Sequence, residues 1–139
     1  MTPKEAAALW PKIEEVAGNR KLVSPAAAPC GSGPPKGLSN AIPWFDEFFK
    51  LCKNCRVDYL ATHHYACNAG STMKYLKQLY DRYGKKIWLT EFSCPRTTSV
   101  TKILNYMKAI LPQLEKANYV YRYSWLTHRR IRQGGWVEA

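Results

Sequence analysis

Acidic residues are scarce in this chain. Ten Asp and Glu stand against 21 Lys and Arg in 139 residues, a net charge of +11. No run of eighteen apolar residues occurs, so no membrane-spanning helix and no membrane partner are expected. The opening stretch, Met1 to Trp10, lacks the charged-then-apolar pattern of a secretory signal. On that ground either the protein stays in the cytosol or the chain does not carry the natural start. Glycine-rich phosphate loops are missing too. Neither G-x-G-x-x-G nor G-x-x-x-x-G-K-[ST] follows any predicted strand, which argues against a nucleotide fold.

At 46% hydrophobic and 22% charged, the composition is globular, and the length suits one ordinary domain. The basic surplus is spread along the chain. Its one tight cluster is Arg129, Arg130 and Arg132, so a solvated basic surface is expected, and nucleic acid is not the expected partner. Five cysteines (Cys30, Cys52, Cys55, Cys67 and Cys94) are many for a cytosolic domain and suit an oxidising compartment. Their number is odd, so at least one is unpaired within the chain.

Hydrophobic period and caps predict alternating elements. Thr2, Pro3 and Glu5 open a helix over 3–17, with Ala8, Leu9, Ile13 and Val16 as its apolar face. A short strand over 21–24 leads into a long Pro- and Gly-rich loop over 25–38. Ser39 or Asn40 caps a helix over 42–51, with Trp44, Phe45, Phe48 and Leu51 inward. A strand over 56–63 and a turn over 68–71 follow. Next come a helix over 72–83 stopped by Gly84 and a strand over 86–92. A helix over 100–116, capped by Thr98 or Ser99, and a strand over 119–125 complete the pattern; the tail has no clear period. The order α-β-α-β-α-β-α-β, at roughly 30 residues per unit, predicts an α/β protein with parallel strands. A (β/α)8 TIM barrel takes about 250 residues, so four such units are about half a barrel.

Within this pattern one acid stands out. Glu91 lies near the C-terminal end of a short apolar run, 87–92, that reads as a buried strand. A carboxylate there is costly unless paired or used, and that end of the strands is where α/β proteins bind ligands. Strict alternation would place Ile87, Leu89 and Glu91 on one face, with Trp88, Thr90 and Phe92 toward the helices. On the preceding strand His63 and Tyr65 would share a face with Tyr59 and Ala61, and on the last strand Trp125 with Tyr121 and Tyr123. The strand ends would gather Glu91, His63, Tyr65 and Trp125 at one mouth. Aromatic faces and oriented polar groups beside a carboxylate suit a sugar site. The alternative is that Tyr65 and Trp125 are core aromatics and that a buried Arg or Lys holds Glu91. Asp58, at the start of its strand, reads as structural, and His128 carries no assignment.

The ordered segments 57–65 (VDYLATHHY), 83–92 (YGKKIWLTEF) and 123–125 (YSW) resemble the glycosyl hydrolase catalytic core family, glycoside hydrolase family 128. Segments 24–26 (SPA) and 44–49 (WFDEFF) also fit its pattern, and the similarity runs from about Leu22 to Trp125. The resemblance implies a (β/α)8 barrel enzyme that cuts β-1,3-glucans with retention. It implies Glu91, in the T-E-F motif, as nucleophile and His63 and Tyr65 as substrate-binding neighbours. The family usually has Trp where this chain has His64.

Retaining glycosidases use two carboxylates about 5–5.5 Å apart. In the family that this chain resembles, the acid/base lies in an Asn-Glu-Pro motif at the end of the fourth strand, and this chain contains no such tripeptide. The expectation is therefore a single catalytic-core-like domain over 1–139 that is N-terminally incomplete, with the acid/base outside it. Two bare sheet edges would invite self-association. Two cysteine pairs are candidates: Cys67 with Cys94, which follow neighbouring strands on one side, and Cys52 with Cys55. Cys30 would be left over. Zinc is not expected, because a strand of about seven residues at ~3.3 Å each puts Cys52 and Cys55 roughly 20 Å from His63. No cofactor is implied, since glycoside hydrolysis needs only carboxylates and water. The leading expectation is a secreted, retaining β-glucanase-like hydrolase acting on a polysaccharide. The alternatives are a non-catalytic carbohydrate-binding remnant and a basic polyanion-binding domain.

Overall fold

A computed structural model of the protein describes residues 1–27, 41–95, 97 and 99–126, and the backbone of 129–130 and 136–137. Four helices, α1 (Pro3–Ala17), α2 (Ile42–Leu51), α3 (Ala69–Tyr83) and α4 (Val100–Lys116), alternate with three strands, β1 (Leu60–Tyr65), β2 (Ile87–Ser93) and β3 (Val120–Trp125). The strands form one parallel sheet in the order β1-β2-β3. This is the α/β succession that the sequence predicts with one strand fewer, since among the described residues no strand separates α1 from α2.

The predicted strand over 21–24 joins the sheet only through isolated parallel bridges, Val23 to Tyr59 and Ala27 to Thr62. The Ser24 amide donates to the Tyr59 carbonyl at 2.9 Å, and the Ala61 amide donates to Ser24 Oγ at 2.9 Å. A side chain thus replaces one rung of the ladder, which leaves bridges rather than a strand. β1 starts at Leu60, later than predicted, because residues 56–58 serve the N-terminal elements. The Arg56 amide donates to Glu14 Oε1 at 2.6 Å, its carbonyl accepts from Trp10 Nε1 at 3.1 Å, and the Asp58 carboxylate accepts from the Leu22 amide at 2.7 Å. The tail forms a short antiparallel pair, β4 (Arg129–Arg130) with β5 (Trp136–Val137). Tail residues 127–128, 131–135 and 138–139, the loop 28–40, Cys30 and the cap candidates Ser39, Asn40 and Thr98 lie outside the described residues.

Caps fix where the helices begin. Thr2 and Glu5 form a reciprocal capping box at α1. Asn68 accepts from the Ser71 amide at 2.8 Å, so the predicted turn over 68–71 is the first turn of α3. Ser99 caps α4, and Gly84, at φ 62°, ends α3 in the left-handed conformation.

The main core lies between the sheet and the helices, with Phe45, Leu60, Leu76, Leu79, Ile87, Leu89, Phe92 and Ile110 fully buried. A second cluster joins α1 to α2 through Ala6, Trp10 and Phe48. The buried face of α1 is therefore Ala6 and Trp10, whereas the predicted Leu9, Ile13 and Val16 are exposed, as are Leu51 of α2 and Leu104 of α4.

Two bulges reset which side chains face the helices. Thr62 pairs with Leu89 but His63 pairs with Glu91, so Thr90 is an additional residue in β2. Ile87 pairs with Val120 but Trp88 with Arg122, so Tyr121 is an additional residue in β3. Strict alternation fails at both points. Ile87, Leu89 and Phe92 all bury in the core. Trp88 instead meets Tyr59 and Tyr121, with ring centroids 6.0 Å away in both cases.

Candidate active site

Because Thr90 is the additional residue, Glu91 leaves the face of Leu89 and turns away from the core between the sheet and the helices. There it meets the two side chains that β1 projects from the same face. The Tyr65 hydroxyl donates to Glu91 Oε2, and His63 Nδ1 lies 3.5 Å from the same oxygen. The carboxylate remains 35% exposed and the imidazole 21%. Neither Arg nor Lys forms an ion pair with Glu91 among the described residues. Glu91 is thus held by a phenol and an imidazole and stays open to a ligand. A carboxylate oriented in this way can attack an electrophilic carbon or hold a hydroxyl.

Trp125 is at the same level, its Cα paired with Phe92. Its ring stands perpendicular to Phe92 at 5.2 Å and lies 6.2 Å from Tyr106 of α4. The structure therefore brings Glu91, His63 and Tyr65 together, whereas the ring contacts of Trp125 are with Phe92 and Tyr106. The bulge at Tyr121 also separates the expected trio on β3. Tyr121 stacks on Tyr59 at 4.5 Å, while Tyr123 donates to Glu115 of α4.

His64, between the two site residues, faces the other way. It is buried, stacks on Tyr75 at 4.9 Å, and places Nδ1 3.0 Å from Thr72 Oγ1. That hydroxyl donates to the Asn68 carbonyl and lies 2.9 Å from the Tyr106 hydroxyl. Burial holds the His64 imidazole below its ordinary pKa. This network ties β1 to the first turn of α3, directly behind the site, and no motif in the sequence signals it.

Both predicted disulfides are present. Cys52–Cys55 closes the end of α2, with Cα atoms 5.1 Å apart, and Cys67–Cys94 joins the segments that follow β1 and β2, with Cα atoms 4.6 Å apart. Asp58 accepts from the Leu22 amide and pairs with Lys21, a structural role. Among the described residues no three His, Cys, Asp or Glu are grouped to hold a metal ion, and no helix is long and apolar enough to cross a membrane. An open groove of about 600 Å³ is lined by Lys74, Lys77, Asp81 and Arg82 of α3. Two of its cations are already paired, Lys77 with Asp81 and Arg82 with Asp46. It is not an empty cationic site.

The model of the glycosyl hydrolase catalytic core matches residues 1–137. The chain belongs to the glycosyl hydrolase catalytic core family. Among solved relatives is a family 128, subgroup II endo-β-1,3-glucanase from Sorangium cellulosum. It is 34% identical, with a TM-score of 0.83, over 94% of this chain and 54% of that one. A curdlan-specific exo-β-1,3-glucanase from Blastomyces gilchristii, solved with glucose, is 31% identical with a TM-score of 0.74, over 90% and 54%. An Amycolatopsis mediterranei endo-β-1,3-glucanase variant in complex with laminaripentaose is 27% identical with a TM-score of 0.75, over 91% and 55%. The Alkali-sensitive linkage protein 1 of Schizosaccharomyces pombe is 33% identical over 87 residues, 59% of this chain and 16% of that protein. The catalytic-core chain thus spans about half the length of these solved glucanases and a smaller part of the yeast protein.

Proposed function

We propose that this catalytic-core domain contributes the nucleophile, Glu91, to a retaining glycoside hydrolase of the endo-β-1,3-glucanase type. The observation that carries the reading is the Glu91 carboxylate, partly exposed near a strand's C-terminal end and held by Tyr65 and His63. In this reading Glu91 attacks the anomeric carbon and forms a glycosyl-enzyme ester. Tyr65 orients the attacking oxygen, and His63 and Trp125 contact the sugar. A retaining mechanism also needs an acid/base carboxylate about 5–5.5 Å from the nucleophile, and in this reading it is not supplied by residues 1–139, which lack the Asn-Glu-Pro motif. The related glucanases solved with glucose and laminaripentaose support a β-glucan as substrate. The two disulfides support an extracellular location.

Titration of laminaritriose into the chain and into its Glu91→Gln variant tests the proposal. Binding is expected in both, because the amide keeps the shape of the carboxylate. Cleavage of an aryl β-laminaribioside is expected only in the wild type, since an activated phenol leaves without an acid. Binding that collapses in salt, or cleavage that survives in Glu91→Gln, would contradict the reading.

A further inference from the structure

We infer that the Cys67–Cys94 disulfide is a positioning element of this site, one that holds the Tyr65 hydroxyl on the Glu91 carboxylate. For its catalytic consequence the inference rests on the reading of Glu91 as nucleophile; the geometry stands without it. Tyr65 and Glu91 belong to different strands, so their contact depends on the β1–β2 register. That register is interrupted just before the site, between Thr62 and His63, where Thr90 is the additional residue. A bulge breaks the local ladder and lets the strand bend. Only three register pairs follow it: His63 with Glu91, His64 with Phe92, and Tyr65 with Ser93. The ladder ends there. Cys94 is the next residue after β2 and Cys67 the second residue after β1, and their covalent bond closes the open end. Cys94 is buried in the main core and Cys67 packs against it, so the bond is anchored. Asn68, directly after Cys67, caps α3 and receives the Thr72 hydroxyl behind β1. The short ladder that carries the site is thus clamped between a bulge and a disulfide.

The experiment uses a Cys52→Ser/Cys55→Ser protein, in which a phosphine opens Cys67–Cys94 alone. The bond gains two electrons and two protons to give two thiols, and the phosphine becomes its oxide with oxygen from water. Tyrosine labelled at the ring carbon that bears the hydroxyl reports the hydrogen bond by NMR. Tyr65→Phe assigns the Tyr65 resonance, and Glu91→Ala gives its position without the carboxylate. Opening the bond is expected to move the Tyr65 resonance to the Glu91→Ala position and to leave Tyr83, on α3, unmoved. A Cys67→Ala/Cys94→Val protein, which keeps the buried packing, is expected to give the same shift. A gain of two titratable thiols over the unreduced protein, which keeps Cys30, with an unmoved Tyr65 resonance would overturn the inference. So would loss of the native Tyr83 position in both proteins, because the bond would then hold the whole fold and not the site. If Glu91 proves not to be a nucleophile, cleavage of the aryl β-laminaribioside fails while this resonance shift persists.

Discussion

Glu91 reaches Tyr65 and His63 because one residue, Thr90, is inserted ahead of it; without the bulge its side chain would point with Leu89 into the core. Replacing Tyr65 by Phe removes a charge-assisted hydrogen bond to the carboxylate. A loss of about 1.5–3 kcal/mol, or roughly ten- to 150-fold in the rate at which an activated fluoroglycoside labels Glu91, is expected. An unchanged labelling rate would show that Tyr65 does not orient Glu91. His64 gives a pH dependence. Burial lowers its folded-state pKa, so the unfolded chain binds the proton first as pH falls. Its contribution to stability is full above the ordinary value of about 6.5 and declines as pH drops below that. The melting temperature is expected to fall between about pH 7 and pH 5, and to fall less in His64→Asn, which keeps an amide near the Thr72 hydroxyl but does not titrate. That Glu91, His63 and Tyr65 come together was legible in the sequence because a lone acid at a strand end and a His-x-Tyr alternation are local signals. The two bulges were not. Thr90 and Tyr121 are ordinary strand residues, and neither a Gly nor a Pro marks the extra position.

At the scale of elements, helix bounds were legible wherever a cap or a left-handed glycine fixes them, as at Thr2, Ser99 and Gly84. They were misread at Asn68, where a turn-forming residue is in fact a cap. The apolar stripe of α1 also misled: Leu9, Ile13 and Val16 repeat at helical spacing, yet Ala6 and Trp10 are the buried pair. Periodicity finds a stripe but does not say which neighbour covers it. The disulfides differ in what they close. Cys67–Cys94 spans a sequence separation of 27 and Cys52–Cys55 a separation of 3. Loop-closure entropy then predicts losses of about 3.5 and about 1.5 kcal/mol, respectively, on removal. Urea unfolding of the two double-serine variants checks the order; equal losses would contradict it. Leu79 of α3 is wholly buried in the main core, and Leu79→Ala is expected to cost about 2–5 kcal/mol in the same assay.

At the scale of the whole molecule, the parallel order of β1, β2 and β3 ends at β3 among the described residues, and Tyr121, on that last strand, is exposed. A bare edge pairs readily with another strand. Sedimentation velocity is expected to show association that grows with protein concentration and weakens when Arg replaces Tyr121. A sharp monomer at every concentration would show that the edge is covered. The whole-molecule scale was the most legible of the three, since the alternation of helices and strands implies a parallel sheet before any side chain is placed, although one of the four predicted strands forms only bridges.

The measurement that bears most directly on the central claim is intact-mass and peptide analysis after incubation with a 2-deoxy-2-fluoro β-laminaribioside carrying a dinitrophenolate leaving group. Such a leaving group departs without an acid, so the step depends on the nucleophile alone, and the fluorine slows release of the ester. The account predicts a mass gain of one fluoroglycosyl unit on the peptide that contains Glu91, absent in Glu91→Gln. No adduct on a folded chain that binds laminaritriose, or an adduct on another residue, would contradict it.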